Sequence, residues 1–117
     1  MKTLKSEDLV HFYGTEHWYR TSFSRKIVYT DGVQYVAETG GAYWLIDTIV
    51  ISQSLPKVKA EEFQSWKLTV KDNKGTLVCE DGDHHQVYKE EIPFTDFPLP
   101  EITFWLTDNV IMLPSEY

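Results

Sequence analysis

The chain has 117 residues, of which 42% are hydrophobic and 15% aromatic, and its formal net charge is −7. That length suits one domain, since domains most often run to about 100–150 residues, and the aromatic share supplies core payload that a disordered chain lacks. The acidic balance argues against a protein that grips duplex nucleic acid, because that binding needs a positive surface to release counterions.

The charge is unevenly placed. Residues 1–30 hold five basic and three acidic side chains, whereas residues 31–117 hold six basic and fifteen acidic ones. The single cysteine, Cys79, rules out an intrachain disulfide and points to a reducing compartment. The first eight residues show no apolar h-region. The longest apolar stretch, Ala42 to Ile51, is interrupted by Asp47 and Thr48, and it is about half the length that crosses a bilayer. These features predict a cytoplasmic protein that does not engage a membrane.

The elements in chain order begin with a short helix over 6–13. Ser6 is expected to cap it, Glu7 and Asp8 suit its positive end, and Gly14 stops it. Aromatic and β-branched residues then predict strands over 17–22, 25–30 and 33–38, with Asp31-Gly32 as a two-residue hairpin turn. Gly40-Gly41 breaks that pattern. The run 42–53 is apolar almost all round and predicts a buried helix, although its β-branched residues leave a strand open. Residues 54–62 read as a connection.

A meander follows. Strand 63–71 places Trp66, Leu68 and Val70 on one face and Lys67, Thr69 and Lys71 on the other. A turn at 72–75 leads to strand 76–80, a turn at 81–83 to strand 85–92, and Pro93, Pro98 and Pro100 mark an irregular crossing. Strands 101–107 and 110–113 flank an Asp108-Asn109 turn. The expected fold is α+β: a mostly antiparallel sheet of six to eight strands, one short N-terminal helix and one buried central helix, within a single domain over 1–117.

Five groups of residues could carry function. Glu80, Asp81, Asp83, His84 and His85 mix carboxylate and imidazole ligands around a turn, and Asp81, Asp83, His84 and His85 are the metal candidates. Zinc sites usually pair two ligand motifs, and turn chemistry alone accounts for these residue types. Asp47 lies inside an apolar run and is a candidate general base if buried beside His84 or His11. It equally fits a solvated stripe, or a pair with Arg20 or Arg25. Thr39-Gly40-Gly41-Ala42 could expose backbone N–H groups to an anion at a helix start, or simply make a turn. His17 to Lys26 joins Trp18 and Tyr19 to Arg20 and Arg25, as a stacking platform for a single strand would. The segment 80–101 carries seven acids, among them Glu80, Asp81, Asp83, Glu90 and Glu91, against Lys89 alone. Such a surface attracts basic partners or only solubilises. Cys79 sits in a strand pattern and reads as a small core residue.

The segments Thr39 to Asp47, Glu91 to Leu99, Glu101 to Leu106 and Leu113 to Tyr117 resemble those of a family of small bacterial proteins built on a domain of unknown function, some of them plasmid or mobile-element encoded. The resemblance covers most of the chain and implies no activity, cofactor or catalytic residue. The leading expectation is a non-enzymatic protein-interaction domain, self-association included, with its contact surface at the acidic 80–101 region or a sheet edge. One rival is a metal-assisted hydrolase using Asp81, Asp83, His84 and His85 with Asp47. The other is a single-strand binder through Trp18, Tyr19, Arg20 and Arg25. No cofactor is implied.

Overall fold

The computed structural model describes residues 4–117, apart from the side chain of Val10. Chain order is a 3-10 helix (Ser6–His11), strands β1 (Tyr19–Arg20) and β2 (Val28–Tyr29), helices α1 (Asp31–Gly40), α2 (Tyr43–Ser52) and α3 (Pro56–Lys59), strands β3 (Phe63–Lys71), β4 (Lys74–Glu80), β5 (Gln86–Ile92), β6 (Glu101–Thr107) and β7 (Val110–Met112), and a closing 3-10 turn (Pro114–Glu116). The strands form one seven-stranded sheet in the order β1-β2-β7-β6-β3-β4-β5. Every pairing is antiparallel except β2 with β7. The expected α+β fold and its mostly antiparallel sheet are what the chain adopts.

Three antiparallel ladders make the body of the sheet. In β3 the period-2 pattern buries Gln64, Trp66 and Leu68 and exposes Lys67, Thr69 and Lys71, as the alternation of residues requires. Asp72 and Asn73 turn β3 into β4 with φ of 54° and 61°, and Asp108 and Asn109 turn β6 into β7 with φ of 50° and 63°. Paired positive φ angles match the twist of a two-residue hairpin. Leu77 and Cys79 of β4 and Ile102, Phe104 and Leu106 of β6 extend the buried face begun by Trp66 and Leu68.

Helices cover that face. α2 contributes Leu45, Ile46, Ile49 and Val50 to the core, and α1 contributes Val33, Val36 and Ala37. Val58 of α3 and Ile111 of β7 join the same cluster. The buried central helix predicted over 42–53 is α2.

Several expectations fail, each for a physical reason. The predicted strand 33–38 and its Asp31-Gly32 hairpin are instead helix α1. Thr30 caps it through its side chain, which accepts from the Val33 N–H, and Gly41 ends it in the left-handed region at φ 65°. Val33, Val36, Ala37 and Gly40 are buried at helical spacing, so a period near 3.6 overrides the β-branched composition. Strands 17–22 and 25–30 shrink to two-residue β1 and β2. The connection 54–62 contains α3, opened by Pro56 in its first turn. The first helix is a 3-10 helix ending at His11, with Lys5 at its N-cap and no side-chain cap bond, so Ser6 does not cap it.

Candidate functional site

The β4–β5 loop gathers three of the four metal candidates. Asp81 Oδ1 accepts from the backbone N–H groups of Asp83 (2.8 Å) and His85 (2.9 Å), while Oδ2 lies 3.2 Å from His85 Nδ1. These bonds, the His85 N–H first, hold the Asp81 carboxyl below the ordinary carboxylate range. One donor atom each from Asp81, Asp83 and His85 falls within 4.8 Å of the others, a spacing at which carboxylate and imidazole could share a cation. His84 stands outside that group. It takes φ 66° and places Nδ1 3.8 Å from Glu80 Oε1 with its side chain 91% exposed. The hydrogen bonds of the turn account for the Asp81 position without an ion.

The acids of segment 80–101 are divided by the sheet: Glu80, Glu91 and Glu101 lie on one face and Glu90 on the other. Glu80, Asp81 and Asp83 sit at the loop end of β4. Glu90 accepts from the Tyr88 hydroxyl at 2.7 Å. Glu91 sits opposite Thr76 of β4, on the same sheet face as Glu80, and meets Lys89 Nζ at 3.5 Å and the Thr76 hydroxyl at 3.0 Å. Glu101 pairs with Lys67 at 3.3 Å. Alternation along β5 sends neighbouring acids to opposite sides of the sheet.

Asp47 sits half-buried on α2 and lines a cavity of about 150 Å³ together with Arg20, Ser22, Tyr29 and Tyr43. None of the histidines partners it. His17 Nδ1 lies 3.1 Å from Asp31, and His85 and His84 face Asp81 and Glu80. Among the described residues the Asp47 carboxylate and the Arg20 guanidinium make no hydrogen bond and no ion pair; the β1–β2 register, with Arg20 opposite Val28 and Tyr19 opposite Tyr29, sets the Arg20 side chain on the other face from Tyr29. Sequence reasoning named both residues but missed Tyr29, which lines the cavity with them. Its ring is 8% exposed and stacks on Tyr19 with centroids 5.3 Å apart. Burial, then the Tyr19 phenol, then the Asp47 charge push the Tyr29 phenol above its ordinary 10.0.

The basic-aromatic stretch is divided by the fold. Tyr19 gives one face to Tyr29 and its hydroxyl to Asp31 at 3.2 Å, Arg20 belongs to the cavity, and Trp18 stays 58% exposed. The Thr39-Gly40-Gly41-Ala42 segment follows a helix and not a strand: it ends α1 and leads through Ala42, the N-cap, into α2. The backbone N–H groups of Gly41 and Ala42 both reach the Ala37 carbonyl, so they are committed to the helix end and not free for an anion.

The face of the sheet opposite the helices presents a different surface. Phe63 and Trp105 pack edge-on at 5.1 Å, and Tyr117 closes on Trp105 at 5.5 Å. Around them lie Val78 and Met112, with Lys67, Lys71, Lys74 and Lys89 facing Glu80, Glu91 and Glu101 along the ladders. A second cavity, of about 630 Å³, opens between the β6–β7 turn and α3. It is lined by Lys26, Lys59, Glu61, Glu62, Gln64 and Asp108 among others. No helix of the described residues is long and apolar enough to cross a membrane.

No curated protein and no solved structure matches the chain. A family model does, over residues 3–117, which is nearly the whole sequence: the chain belongs to a family of unknown function, DUF6876.

Proposed function

We propose that the chain is a protein-interaction domain and that its contact surface is the uncovered sheet face around Phe63, Trp105 and Tyr117, with a second copy of the chain as its occupant. The observation that carries this reading is the aromatic cluster itself. Tyr117 stands 78% exposed against Trp105, on a face the helices leave open. Aromatic side chains supply much of the energy of protein contacts, and an exposed cluster of them marks a contact surface.

Charge selects the partner. The whole chain is −7, yet this face sets four lysines against three glutamates. Two copies meeting here avoid the like-charge repulsion that the rest of their surfaces impose. Lys67–Glu101 and Lys89–Glu91 pairs, at 3.3 and 3.5 Å, can exchange partners across a two-fold axis, as a self-complementary interface requires.

Sedimentation velocity over a range of protein concentrations tests the reading. A concentration-dependent dimer is expected, and Tyr117→Glu, at an exposed position, should shift it towards monomer without lowering the melting temperature. A chain that stays monomeric at millimolar concentration rejects self-association. So does a dimer that Tyr117→Glu and Val78→Lys both leave intact.

A further inference from the structure

We infer that the exposed side of the β1–β2 hairpin binds single-stranded nucleic acid, with Trp18 and Phe23 stacking on bases and Arg20, Arg25 and Lys26 meeting phosphates.

Hydrogen bonding sorts the hairpin into two sides. His17 Nδ1 and the Tyr19 hydroxyl both turn to Asp31 Oδ1, at 3.1 and 3.2 Å, and Tyr19 stacks on the buried Tyr29. That stack withdraws Tyr19 from the platform that the sequence pattern suggests. Side chains alternate along an extended chain, so Trp18 and Arg20 turn the other way, and Arg20 stands opposite Val28 rather than Tyr29. Trp18 is 58% exposed, and Phe23, in the loop between β1 and β2, is 63% exposed. Among the described residues neither ring stacks on another. The side chains of Arg20, Arg25 and Lys26 are exposed and make no ion pair and no hydrogen bond there.

Charge decides the class of partner. From Trp18 to Thr30 the chain carries three cations and no acid, within a protein of net charge −7. The acidic loop that begins at Glu80 leaves β4, five strands away in the sheet, which is about 24 Å at ~4.8 Å per strand. At physiological salt that is about three Debye lengths, so the loop barely weakens the field at the hairpin. The patch suits a polyanion. Open aromatic rings beside guanidinium groups suit one whose bases are also open, which a single strand offers and a duplex hides. Each base can stack on a ring while its phosphate meets a cation. An anionic lipid surface instead takes up a continuous apolar patch, and Arg20 comes between Trp18 and Phe23 in the sequence. Stacking and phosphate contacts do not read the sugar, so RNA and DNA strands are equivalent partners.

The hairpin edge lies three strands from Trp105, so the inference does not rest on the sheet-face interface. Fluorescence anisotropy of labelled decathymidine and decauridine strands with the full chain, at rising salt, is the experiment. Saturable binding of both strands is expected, with log K falling against log salt at a slope of about −2, since each of three phosphate contacts contributes about −0.7. Arg20→Gln and Arg25→Gln should each reduce that slope by about 0.7. Trp18→Ala and Phe23→Ala should each weaken binding by about fivefold or more, as the loss of a stacked base does. A duplex of the same length should bind more weakly than either strand. Tyr117→Glu should leave strand binding unchanged, and Trp18→Ala should leave the sedimentation of the chain unchanged, which separates this site from self-association. No saturable binding of either strand at low salt overturns the inference. So does an affinity that Trp18→Ala and Arg25→Gln both leave at the wild-type value in chains of unchanged melting temperature. Binding to phosphatidylserine vesicles with none to the strands overturns it as well.

Discussion

The backbone N–H of Gly32 donates to Glu116 Oε2 at 3.1 Å, across 84 residues of sequence. The same carboxylate takes the Thr30 hydroxyl at 2.6 Å and the Leu113 N–H at 2.9 Å through Oε1. Glu116 thus seals the N-terminal end of α1, where free N–H groups and the helix dipole favour an anion.

A side chain on residue 32 would have to displace the ends of the Glu116 and Leu113 side chains, and with Glu116 the bonds it makes to α1. A Cβ there would sit 2.6 Å from Glu116 Oε1 and 2.6 Å from Leu113 Cδ1. Gly32→Ala should therefore destabilise the fold by about 1–3 kcal/mol through overpacking, although alanine alone favours a helix by about 1 kcal/mol. Glu116→Ala should cost about 1–2 kcal/mol, since it strips the partner from the α1 N-terminus. Urea unfolding midpoints of the two variants check both values. A Gly32→Ala chain more stable than wild type would show that Glu116 does not sit at the helix end.

Asp31 gives the stability of the fold an acid limb. Its carboxylate accepts from the Glu16 N–H at 2.9 Å and lies 3.1 Å from His17 Nδ1. The Glu16 bond first, and then His17 and the Tyr19 hydroxyl, hold the carboxyl below the 3.8 of a free aspartate against a smaller effect of burial. A depressed folded value means that the folded chain binds this proton less readily than the unfolded chain. The stabilisation is therefore complete above the unfolded value and is lost as pH falls through the folded one. Asp31→Asn should be less stable than wild type at neutral pH. The difference should shrink as the pH falls below the value of a free aspartate and through the lowered folded value, where both states of the wild type become protonated. Melting curves of the two proteins between neutral and acid pH measure this. A gap that does not narrow in acid contradicts the role.

How legible the fold was depends on which period each segment carries. β3 and β6 follow strict alternation, and their bounds could be read from Trp66-Lys67-Leu68-Thr69 and from Ile102-Thr103-Phe104-Trp105-Leu106. In α1 two signals compete. Asp31-Gly32 between β-branched runs reads as a hairpin, yet Thr30 is a helix cap and Val33, Val36 and Ala37 form a helical stripe. The partner that decides the matter, Glu116, comes from the far end of the chain, which no local pattern reveals. The acidic segment shows the reverse failure. Glu90 and Glu91 are adjacent in sequence and lie on opposite faces of β5, so a charge run became two separate environments. Arg20 and Asp47 were each noted, but only the tertiary fold sets both residues, with Tyr29, along one cavity.

Cys79 should resist thiol reagents until the protein unfolds. It is fully buried in the sheet. Burial first, and then the charges of Glu61, Glu80 and Asp81, push its thiol up to about 12. The thiolate is the reactive form, so at neutral pH almost none is present and none is accessible. An aromatic disulfide reagent should label less than a few per cent of the native chain in the time that it labels denatured chain fully. Prompt labelling of native protein would mean that β4 opens readily.

A buried amide network ties α2, α3 and β3 together at Gln64, which is 3% exposed. Its Nε2 donates to Gln53 Oε1 at 2.8 Å and to the Val58 carbonyl at 2.9 Å. Its Oε1 accepts from Gln53 Nε2 at 2.8 Å and from Trp66 Nε1 at 2.9 Å. Replacing it by an apolar side chain of similar volume keeps the packing and leaves the indole N–H, the Gln53 amide and the Val58 carbonyl without this partner. Gln64→Leu should cost about 2–3 kcal/mol, because an unmet buried polar group loses more than a made hydrogen bond gains. Gln64→Glu keeps the acceptor for Trp66 but brings a charge into a buried site and sets it against Gln53 Oε1 and the Val58 carbonyl. It should be the more damaging change at neutral pH and should recover part of the loss in mild acid, where the protonated carboxyl can donate again. Chemical unfolding of both variants at two pH values separates these outcomes. A Gln64→Leu chain as stable as wild type would show that the amide pair contributes orientation to α2 and α3 and no net stability.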